Sequence, residues 1–366
     1  MKLPSAPLFL LLPALALSAA CGGSDASRTV EPPAVVWHAG PPLPQPLTNN
    51  AVTAMELDDA AVVFSFMGLD STKAWSGITS AAYRWDTDGS KGWRAVAPVP
   101  GPGRLAATAQ ALHGKVYLFG GYTVAEDGAE RSLPNVDIYD PLSDRWTRGH
   151  DIPLPTDDAV SGVWRDSLII LVSGWHDGDN VAAVQWYDPA KDAWSSASPI
   201  LGAPVFGHSG ALAGSHVVYV DGVRTDGSDP RFVMDTASWE GVVDPENPST
   251  VTWSRIPDHP EPVLYRAAAG AVGPLVLLVG GSAIPYNYDG MGYDGRPAIP
   301  LRQTLAYAPS TGTWRVLFAP PAPSMDHRGL GVADGRVFLV GGMGEDRKVL
   351  SRVWYARIED LLGYVP

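Results

Sequence analysis

Short apolar runs recur along this chain at intervals of roughly fifty residues, a period typical of repeat architectures. Residues 104–155 show one complete unit. The β-branched and aromatic run Val116–Phe119 ends at Gly120-Gly121, a polar loop leads to a second run at 136–139, and Trp146 follows after a turn. Each run is short and bounded by Gly, Pro, Asn or Asp, and no helical period is present. The unit therefore predicts four short strands.

The same unit occurs six times and predicts six similar sheets. A single four-stranded sheet cannot bury both of its faces, so each copy requires neighbours. The apolar runs that define the units are Val62–Phe66, Val116–Phe119, Leu168–Val172, Val217–Val220, Leu275–Val279 and Val337–Val340. Units one to five each continue to a tryptophan, namely Trp93, Trp146, Trp194, Trp253 and Trp314.

The sixth unit lacks its tryptophan-bearing fourth strand. Its third strand is predicted at 352–358, and the missing piece lies near the start of the chain, where Trp37 precedes the Pro-rich segment 41–44. We therefore expect the Trp37 strand to pair with 352–358, so that the ring of sheets has no free edge. The predicted fold class is all-β, a six-bladed propeller over residues 34–360 that is closed by its N-terminal strand.

The glycine doublets, the Tyr-Asp-Pro turns and the tryptophans at these spacings resemble kelch repeats, which form β-propellers. The resemblance covers residues 34–358. Within kelch proteins, the count of six units resembles the bacterial N-acetylneuraminate epimerase family, periplasmic mutarotases of sialic acid. The pair Ala74-Trp75, the run 93–104 and the long Gly/Tyr/Asn loop after Gly280-Gly281 carry this second resemblance. It implies a sugar ligand and an isomerase activity, whereas the repeat itself implies only the fold.

The N-terminus is predicted to be a targeting signal that lies outside the fold. Residues 1–20 have the length of a signal peptide, and their apolar stretch from Leu8 to Leu17 is too short and too interrupted by proline to span a bilayer as a helix. The sequence Leu17–Cys21 resembles a bacterial lipoprotein processing box, and Cys21 is the single cysteine of the chain. We expect lipidation of Cys21, a flexible tether over 21–33 and a location in the bacterial cell envelope, on the periplasmic side or the outer membrane. The alternative is a spare thiol in an ordinary secreted protein.

The charge of the chain limits its partners. Its 366 residues carry a formal net charge of −13, which disfavours nucleic acid and anionic membrane surfaces, so the only expected membrane contact is the lipid anchor. The eight histidines are scattered and the motifs of metalloproteases, EF-hands and paired-cysteine sites are missing from the sequence. We therefore expect no metal and no cofactor.

The residues that begin the six innermost strands are the first candidate ligand site, because those strands converge at one mouth of the central channel. Aligned by eye, they are Asn50, Arg104, Asp158, His208, Arg266 and Arg328, with Asp157 and His327 as neighbouring alternatives. Three arginines at one mouth would form a local basic site for a carboxylate-bearing ligand, since arginine binds carboxylates through two hydrogen bonds. The alternative role for these side chains is hydrogen bonding between sheets.

Two loops are further candidates. The segment 283–293 is too long for a hairpin connection and contains Tyr286 and Tyr288, which are suited to stack on a sugar ring or close a lid, or else to pack within the loop. Trp175 and His176 occupy the corresponding loop of the third unit and would supply an aromatic platform and a group that titrates near neutral pH.

The catalytic group is the weakest part of the epimerase resemblance. The resemblance implies a Glu directly after the Asn-Gly that ends the second strand of the fourth unit, with an Arg a few residues on, but Val223 stands in the Glu position here. The candidates to replace the Glu are His208, Asp221 and Asp226, and the candidates for the Arg are Arg224 and Arg231. We therefore expect an envelope lipoprotein that binds an acidic sugar, a glycan or a protein at the channel mouth, and keep as the alternative a mutarotase of the sialic-acid type.

Overall fold

A computed structural model describes residues 36–89, 91–227 and 231–363, and these residues form one six-bladed β-propeller. Each blade is a four-stranded antiparallel sheet whose first strand lies against the channel axis. The predicted signal peptide, Cys21 and the predicted tether lie outside the described residues. Within the described part of the chain, no helix has the length and apolar character needed to cross a membrane.

The strands follow the predicted order in every blade. Blade 1 comprises Ala51–Leu57, Ala60–Phe66, Ala82–Asp86 and Trp93–Ala95. Blade 2 comprises Thr108–Leu112, Lys115–Phe119, Val136–Asp140 and Arg145–Arg148. Blade 3 comprises Val160–Trp164, Leu168–Val172, Val184–Asp188 and Ala193–Ala197.

The remaining blades repeat the arrangement. Blade 4 comprises Ser209–Ala213, His216–Val220, Ser238–Val243 and Val251–Arg255. Blade 5 comprises Ala268–Val272, Leu275–Val279, Thr304–Ala308 and Thr313–Val316. Blade 6 comprises Gly331–Ala333, Arg336–Val340, Val353–Arg357 and, from the other end of the fold, Trp37–Ala39.

The N-terminal strand closes the ring, as the sequence predicts. Trp37 lies opposite Ala356 and Ala39 lies opposite Trp354 in an antiparallel register. The third strand of blade 6 is therefore paired on both sides, and this blade has four strands like the other five.

One tryptophan in the outermost strand of each blade ties that blade to the one before it. Its indole nitrogen donates to a backbone carbonyl just after the outermost strand of the preceding blade, at 2.7 to 3.2 Å. The pairs are Trp93 to Pro41, Trp146 to Ala97, Trp194 to His150, Trp253 to Ser198, Trp314 to Pro257 and Trp37 to Phe318. Since Trp37 makes the sixth contact, the N-terminal strand takes part in the same ring as the others.

Apolar faces of neighbouring blades form the core. Between blades 1 and 2, for example, the ring of Phe66 meets Tyr139 and Trp146 edge-on, with centroids 5.9 and 5.4 Å apart. The glycine doublets allow close approach beside these strands: a Cβ on Gly121, whose φ is +85°, would lie 2.6 Å from the carbonyl oxygen of Leu105.

The loops between second and third strands gather at one mouth of the channel. Three are small hairpins, formed by Tyr122–Val124 with Glu130–Ser132, Trp175–His176 with Asp179–Asn180, and Val223–Thr225 with Phe232–Met234. Two contain 3-10 turns at Trp75–Gly77 and Glu345–Arg347.

The C-terminal segment packs on the propeller beyond the predicted range of residues 34–360. The helix Ile358–Gly363 buries Leu361 completely against blade 6, and Arg315 donates to the carbonyl of Leu362 at 3.1 Å. The apolar side of this short helix covers the outer end of the sheet.

Candidate functional site

A ring of left-handed residues surrounds the channel at the mouth that carries the hairpins. One residue from each blade entry has φ between 53° and 64°: Asn49, Ala106, Asp158, Gly207, Arg266 and Asp326. Backbone N–H groups of four members donate to the carbonyl of the preceding member, as in Asn49 to Asp326 at 3.0 Å and Arg266 to Gly207 at 2.8 Å. The other two links run from the His327 amide to the Arg266 carbonyl and from the Ala106 amide to the Asn49 side chain. The blade entries therefore form one hydrogen-bonded circle with fixed side-chain directions.

This geometry sets the register of the predicted mouth residues. Asp158 and Arg266 are members of the circle. Asn50 and His208 each lie one position after the left-handed residue of their own blade entry. Arg104 and Arg328 each lie two positions from it. The member of blade 6 is Asp326, an acidic residue that the alignment by eye missed because His327 and Arg328 follow it directly.

The two arginines nearest the axis are paired with buried aspartates. Arg266 lies 2.7 Å from Asp158, and Arg328 lies 2.9 Å from the other oxygen of the same carboxylate. Both guanidinium groups also approach Asp326 at 3.4 Å, and Asp326 accepts a hydrogen bond from Thr48 at 2.7 Å. Two positive and two negative groups cancel, so this cluster is a neutral plug in the mouth and not a free basic patch.

The charged state of the plug follows from these contacts. Burial disfavours ionised Asp158, but the attraction of Arg266 and Arg328 outweighs it and lowers the pKa of that carboxyl. The pKa of Arg266 is raised well above its usual value because Asp158 and Asp326 outweigh the effect of burial. Asp158 and Arg266 therefore both stay charged across the physiological pH range.

Other predicted mouth residues make contacts within the scaffold. Arg104 pairs with Asp137 of its own blade at 2.6 Å, and Asn50 donates to Ser65 at 2.9 Å. His208 lies 3.0 Å from the carbonyl oxygen of Val172. These contacts agree with the alternative role in hydrogen bonding within and between sheets, and ligand contact for these residues stays a prediction.

Both buried histidines of the mouth are neutral. Burial lowers the pKa of His208 to about 4, although the Val172 carbonyl and Asp158 oppose it. Burial, together with the positive charge of Arg328, lowers the pKa of His327 to about 3, and its imidazole contacts the Ser324 hydroxyl at 2.9 Å. Neither imidazole carries charge at neutral pH.

The long loop of blade 5 covers the mouth. Tyr286 is fully buried, with its ring 4.9 Å from Tyr265 and 5.4 Å from the guanidinium of Arg266. Tyr288 packs against the apolar cluster around Tyr122 on the opposite side of the mouth, and Tyr293 lies 4.3 Å from Phe232. The predicted tyrosine loop is therefore a roof over the plug.

A cavity of about 260 Å³ lies beside this roof, between the hairpins of blades 2 and 3. Its lining residues are Tyr122, Gly128, Glu130, Ser132, Asp157, Trp175, Asp177 and Gly178. Ser132 is its central polar residue: the hydroxyl donates to Asp157 at 2.5 Å and accepts from the Asp177 amide at 3.2 Å. We call this cavity the hairpin pocket.

Two carboxyl groups of the hairpin pocket hold protons more strongly than usual. Burial, followed by the negative charge of Asp158, raises the pKa of Asp157 well above its ordinary value despite the Ser132 hydrogen bond. The pKa of Glu130 is also raised, first by its partly desolvated position and then by Asp158, with Arg266 opposing. Glu130 is on the solvent-accessible side of the pocket, whereas Asp157 is 2% exposed.

Of the predicted loop residues, Trp175 is in the wall of the hairpin pocket and Arg231 is at its edge. The guanidinium of Arg231 lies 5.5 Å from the Trp175 ring and 5.3 Å from the Phe232 ring, and it donates to the carbonyl of Gly178. His176 is on the same hairpin as Trp175 but does not line the pocket.

The remaining catalytic candidates lie away from this pocket. Asp221 is 1% exposed and accepts hydrogen bonds from the Leu264 amide at 2.6 Å and from His259 at 2.7 Å. Val223 is fully buried at the start of its hairpin. Within the described residues, no group of three or more His, Cys, Asp or Glu has a metal-binding arrangement.

Sequence reasoning missed Glu130, Tyr122 and Asp177 as pocket residues. The available signal was the length of the loop between the second and third strands of blade 2, but only the folded hairpin shows that Glu130 and Ser132 share a face toward blade 3.

The kelch motif model matches residues 103–150, which span blade 2 and its entry. The chain is thus a six-bladed β-propeller with a kelch motif in its second blade.

This kelch propeller is similar in sequence to two bacterial proteins named N-acetylneuraminate epimerase. The protein of Yersinia enterocolitica is 27% identical over 325 residues, covering 74% of this chain and 79% of the relative. The protein of Pasteurella multocida is 24% identical over 329 residues, covering 75% and 83%. Kelch-like protein 15 of Mus musculus is 22% identical over 242 residues, and there the match spans only 37% of the relative's length.

A solved structure titled "Structure of YjhT" superposes with a TM-score of 0.67 at 17% identity, covering 85% of this chain and 95% of the other. At that identity the likeness supports the fold of the kelch propeller alone.

Proposed function

We propose that this kelch propeller binds a sugar in the hairpin pocket and interconverts its anomers, as a mutarotase of the N-acetylneuraminate epimerase type. The observation that carries the proposal is the pocket itself, in which aromatic and carboxyl side chains from two neighbouring hairpins meet beside the channel mouth. Sequence similarity to the epimerases over 74% of the chain supports the same reading.

The composition of the pocket suits a sugar. Tyr122 and Trp175 give the pocket an aromatic lining of the kind that contacts a pyranose ring, and the carboxyl and hydroxyl groups of Glu130 and Ser132 offer partners for its hydroxyls. The volume of about 260 Å³ lies just below the usual range for ligand pockets, about 300–1,000 Å³, which favours a single sugar ring over an oligosaccharide.

An acidic sugar remains the proposed ligand class, with Arg231 as the anchor. Arg266 and Arg328 are paired with aspartates and offer little net attraction to a carboxylate. Arg231 is exposed at the edge of the pocket and is held over the Trp175 ring. A carboxylate at the rim would meet this guanidinium while the sugar ring lies between the aromatic walls.

A second candidate is binding of a sugar, glycan or protein without catalysis. The observation that favours it is Val223, an apolar buried residue at the position where the resemblance implies the catalytic Glu. The two candidates share a site and differ only in whether the bound sugar reacts.

Exchange NMR separates the two candidates. Purified protein is added to N-acetylneuraminate and, separately, to glucose and galactose, and the rate of exchange between the anomeric signals is measured. A mutarotase increases this rate in proportion to protein concentration. Line broadening of sugar signals with an unchanged exchange rate supports binding alone. If neither line broadening nor faster exchange is observed, the proposed sugar site is contradicted.

We also propose that the protein is anchored in the cell envelope through lipid on Cys21, on the strength of the signal-like residues 1–20 and the processing box. Wild type should enter the detergent phase on phase partitioning, and Cys21→Ser should enter the aqueous phase. Equal partitioning of the two forms contradicts lipidation.

A further inference from the structure

The side chain of Glu130 differs from the other carboxyls of the hairpin pocket. Asp157 is buried and engaged by the Ser132 hydroxyl, and Asp177 accepts the Ser132 amide at 2.8 Å. Glu130 is exposed to the pocket, and among the described residues its carboxyl has no hydrogen-bond or ion-pair partner. It is thus the carboxyl of this pocket that is free to meet a ligand.

We propose that Glu130 is the catalytic residue that transfers protons at the anomeric centre of the bound sugar. This inference rests on the proposed function. The hairpin places Glu130 and Ser132 on one face, two residues apart, so the side chain of Glu130 extends into the pocket alongside the Ser132 cluster.

The chemistry requires only the sugar and one carboxyl group. Neutral Glu130 donates its proton to the ring oxygen while its second oxygen accepts the proton of the anomeric hydroxyl. The bond between the anomeric carbon and the ring oxygen breaks, its electron pair goes to the ring oxygen, and the anomeric C–O becomes a carbonyl. Rotation of the open chain and the reverse step on the other face give the second anomer, and Glu130 ends in its starting state.

The geometry of a carboxyl group fits this exchange. Its two oxygens are attached to one carbon, as are the ring oxygen and hydroxyl oxygen of the anomeric centre, so the two pairs can face each other in a double hydrogen bond. Tyr122 and Trp175 in the walls would orient the ring for this contact.

The surroundings of Glu130 favour the neutral acid that this step needs. Desolvation and Asp158 raise the pKa of Glu130, and Arg266 lowers it in part. The titratable groups that face it are Tyr122, Asp157, Asp158, Asp177, Arg266, Tyr288 and Tyr293. Because only the protonated form reacts, the catalysed rate should fall as the pH rises through this raised pKa.

Glu130→Gln tests the assignment, with Glu126→Gln as a matched control in the exposed turn of the same hairpin, outside the pocket lining. Anomer exchange, sugar affinity by tryptophan fluorescence, and the pH profile are measured for each. Glu130→Gln should lose about 100-fold or more of the catalysed rate, keep its sugar affinity within a few-fold and lose the fall at high pH. Glu126→Gln should behave as wild type, and Glu130→Asp should recover part of the rate.

Each outcome decides between the proposals. If wild type accelerates exchange and Glu130→Gln does so equally, the assignment of Glu130 is wrong and the mutarotase proposal stands. If Glu130→Gln instead loses sugar affinity in parallel with rate, Glu130 is a binding group and the proton-transfer role is overturned. If wild type accelerates no sugar, both proposals fail.

Discussion

The guanidinium of Arg266 lies 2.7 Å from the carboxylate of Asp158, in a contact that joins blade 5 to blade 3 across the channel. Arg328 of blade 6 approaches the same carboxylate at 2.9 Å. Three blades that are not all neighbours are thus linked through one buried carboxylate. These ion pairs are the neutral plug that closes the mouth of the channel, and the hairpin pocket lies beside it.

Asp158→Asn should destabilise the propeller strongly. The substitution leaves two buried guanidinium groups with a single remaining anion, Asp326, and removal of one partner from a buried ion pair costs about 3–5 kcal/mol. Urea unfolding monitored by tryptophan fluorescence measures the loss. Asp151→Asn, which removes an exposed pair with Arg148, is the control and should change stability by less than about 1 kcal/mol. Equal effects of the two substitutions would contradict the claim that the ion pairs of Asp158 stabilise the propeller.

Acid should destabilise the protein partly through His208. The unfolded chain takes up a proton on this histidine near pH 6.5, whereas the folded protein does so only near about 4. The unfolded state therefore binds more protons in this window, so stability falls as the pH drops from about 6.5 toward 4. Between pH 7.5 and 4.5 the contribution is about 2 to 3 kcal/mol.

His208→Gln isolates this contribution. The variant should be less sensitive than wild type to the change from pH 7.5 to 4.5, as measured by urea unfolding at both values. His113→Gln, at an exposed turn, should keep the sensitivity of wild type. An unchanged pH dependence in His208→Gln would mean that this imidazole titrates normally in the folded protein.

Trp37→Ala should weaken closure of the ring. The indole is 3% exposed, and its nitrogen donates to Phe318 at 2.7 Å. Loss of a buried tryptophan side chain costs about 3–5 kcal/mol, and here the cost falls on the strand that joins the two ends of the fold. Differential scanning calorimetry should show a lower midpoint of thermal unfolding for this variant. The midpoint should stay unchanged in Trp75→Ala, because Trp75 is 41% exposed. A wild-type midpoint for Trp37→Ala would contradict the closure by this strand.

Arg231→Ala should weaken binding of acidic sugars selectively. A hydrogen bond to a charged group contributes about 1.5–3 kcal/mol, so the affinity for N-acetylneuraminate should fall by about 10- to 100-fold. Affinity for a neutral sugar should change little. Arg224→Ala, on the same hairpin but paired with Asp226 and Asp235, is the matched control for titration calorimetry. Equal losses for acidic and neutral sugars would remove Arg231 as the carboxylate anchor.

The sequence was sufficient for the circular architecture because its signals are local. Trp37 and its Pro-rich exit match the pattern around Trp146, and both tryptophans make the same indole contact in the folded protein. Which residue of each blade entry takes the left-handed position was harder to predict from the sequence, because this position is filled by Asn, Asp, Gly, Ala and Arg residues alike. Alignment on the conspicuous Arg328 therefore passed over Asp326.

The pairing of the mouth arginines with aspartates could not be predicted from the sequence, and neither could the hairpin pocket. Asp158 and Arg266 are 108 positions apart, and only the arrangement of blades brings them together. Glu130 appears in the sequence as one polar residue of a polar loop. Its significance depends on the neighbouring hairpin, because Asp157, Trp175 and Asp177 of blade 3 complete the pocket.

A crystal structure of the protein soaked with N-acetylneuraminate tests the location of the site most directly. We predict sugar density in the hairpin pocket, with the ring between Tyr122 and Trp175, the anomeric centre at Glu130 and the carboxylate at Arg231. Density for the sugar in the central channel against Arg328, with the hairpin pocket unoccupied, would contradict it.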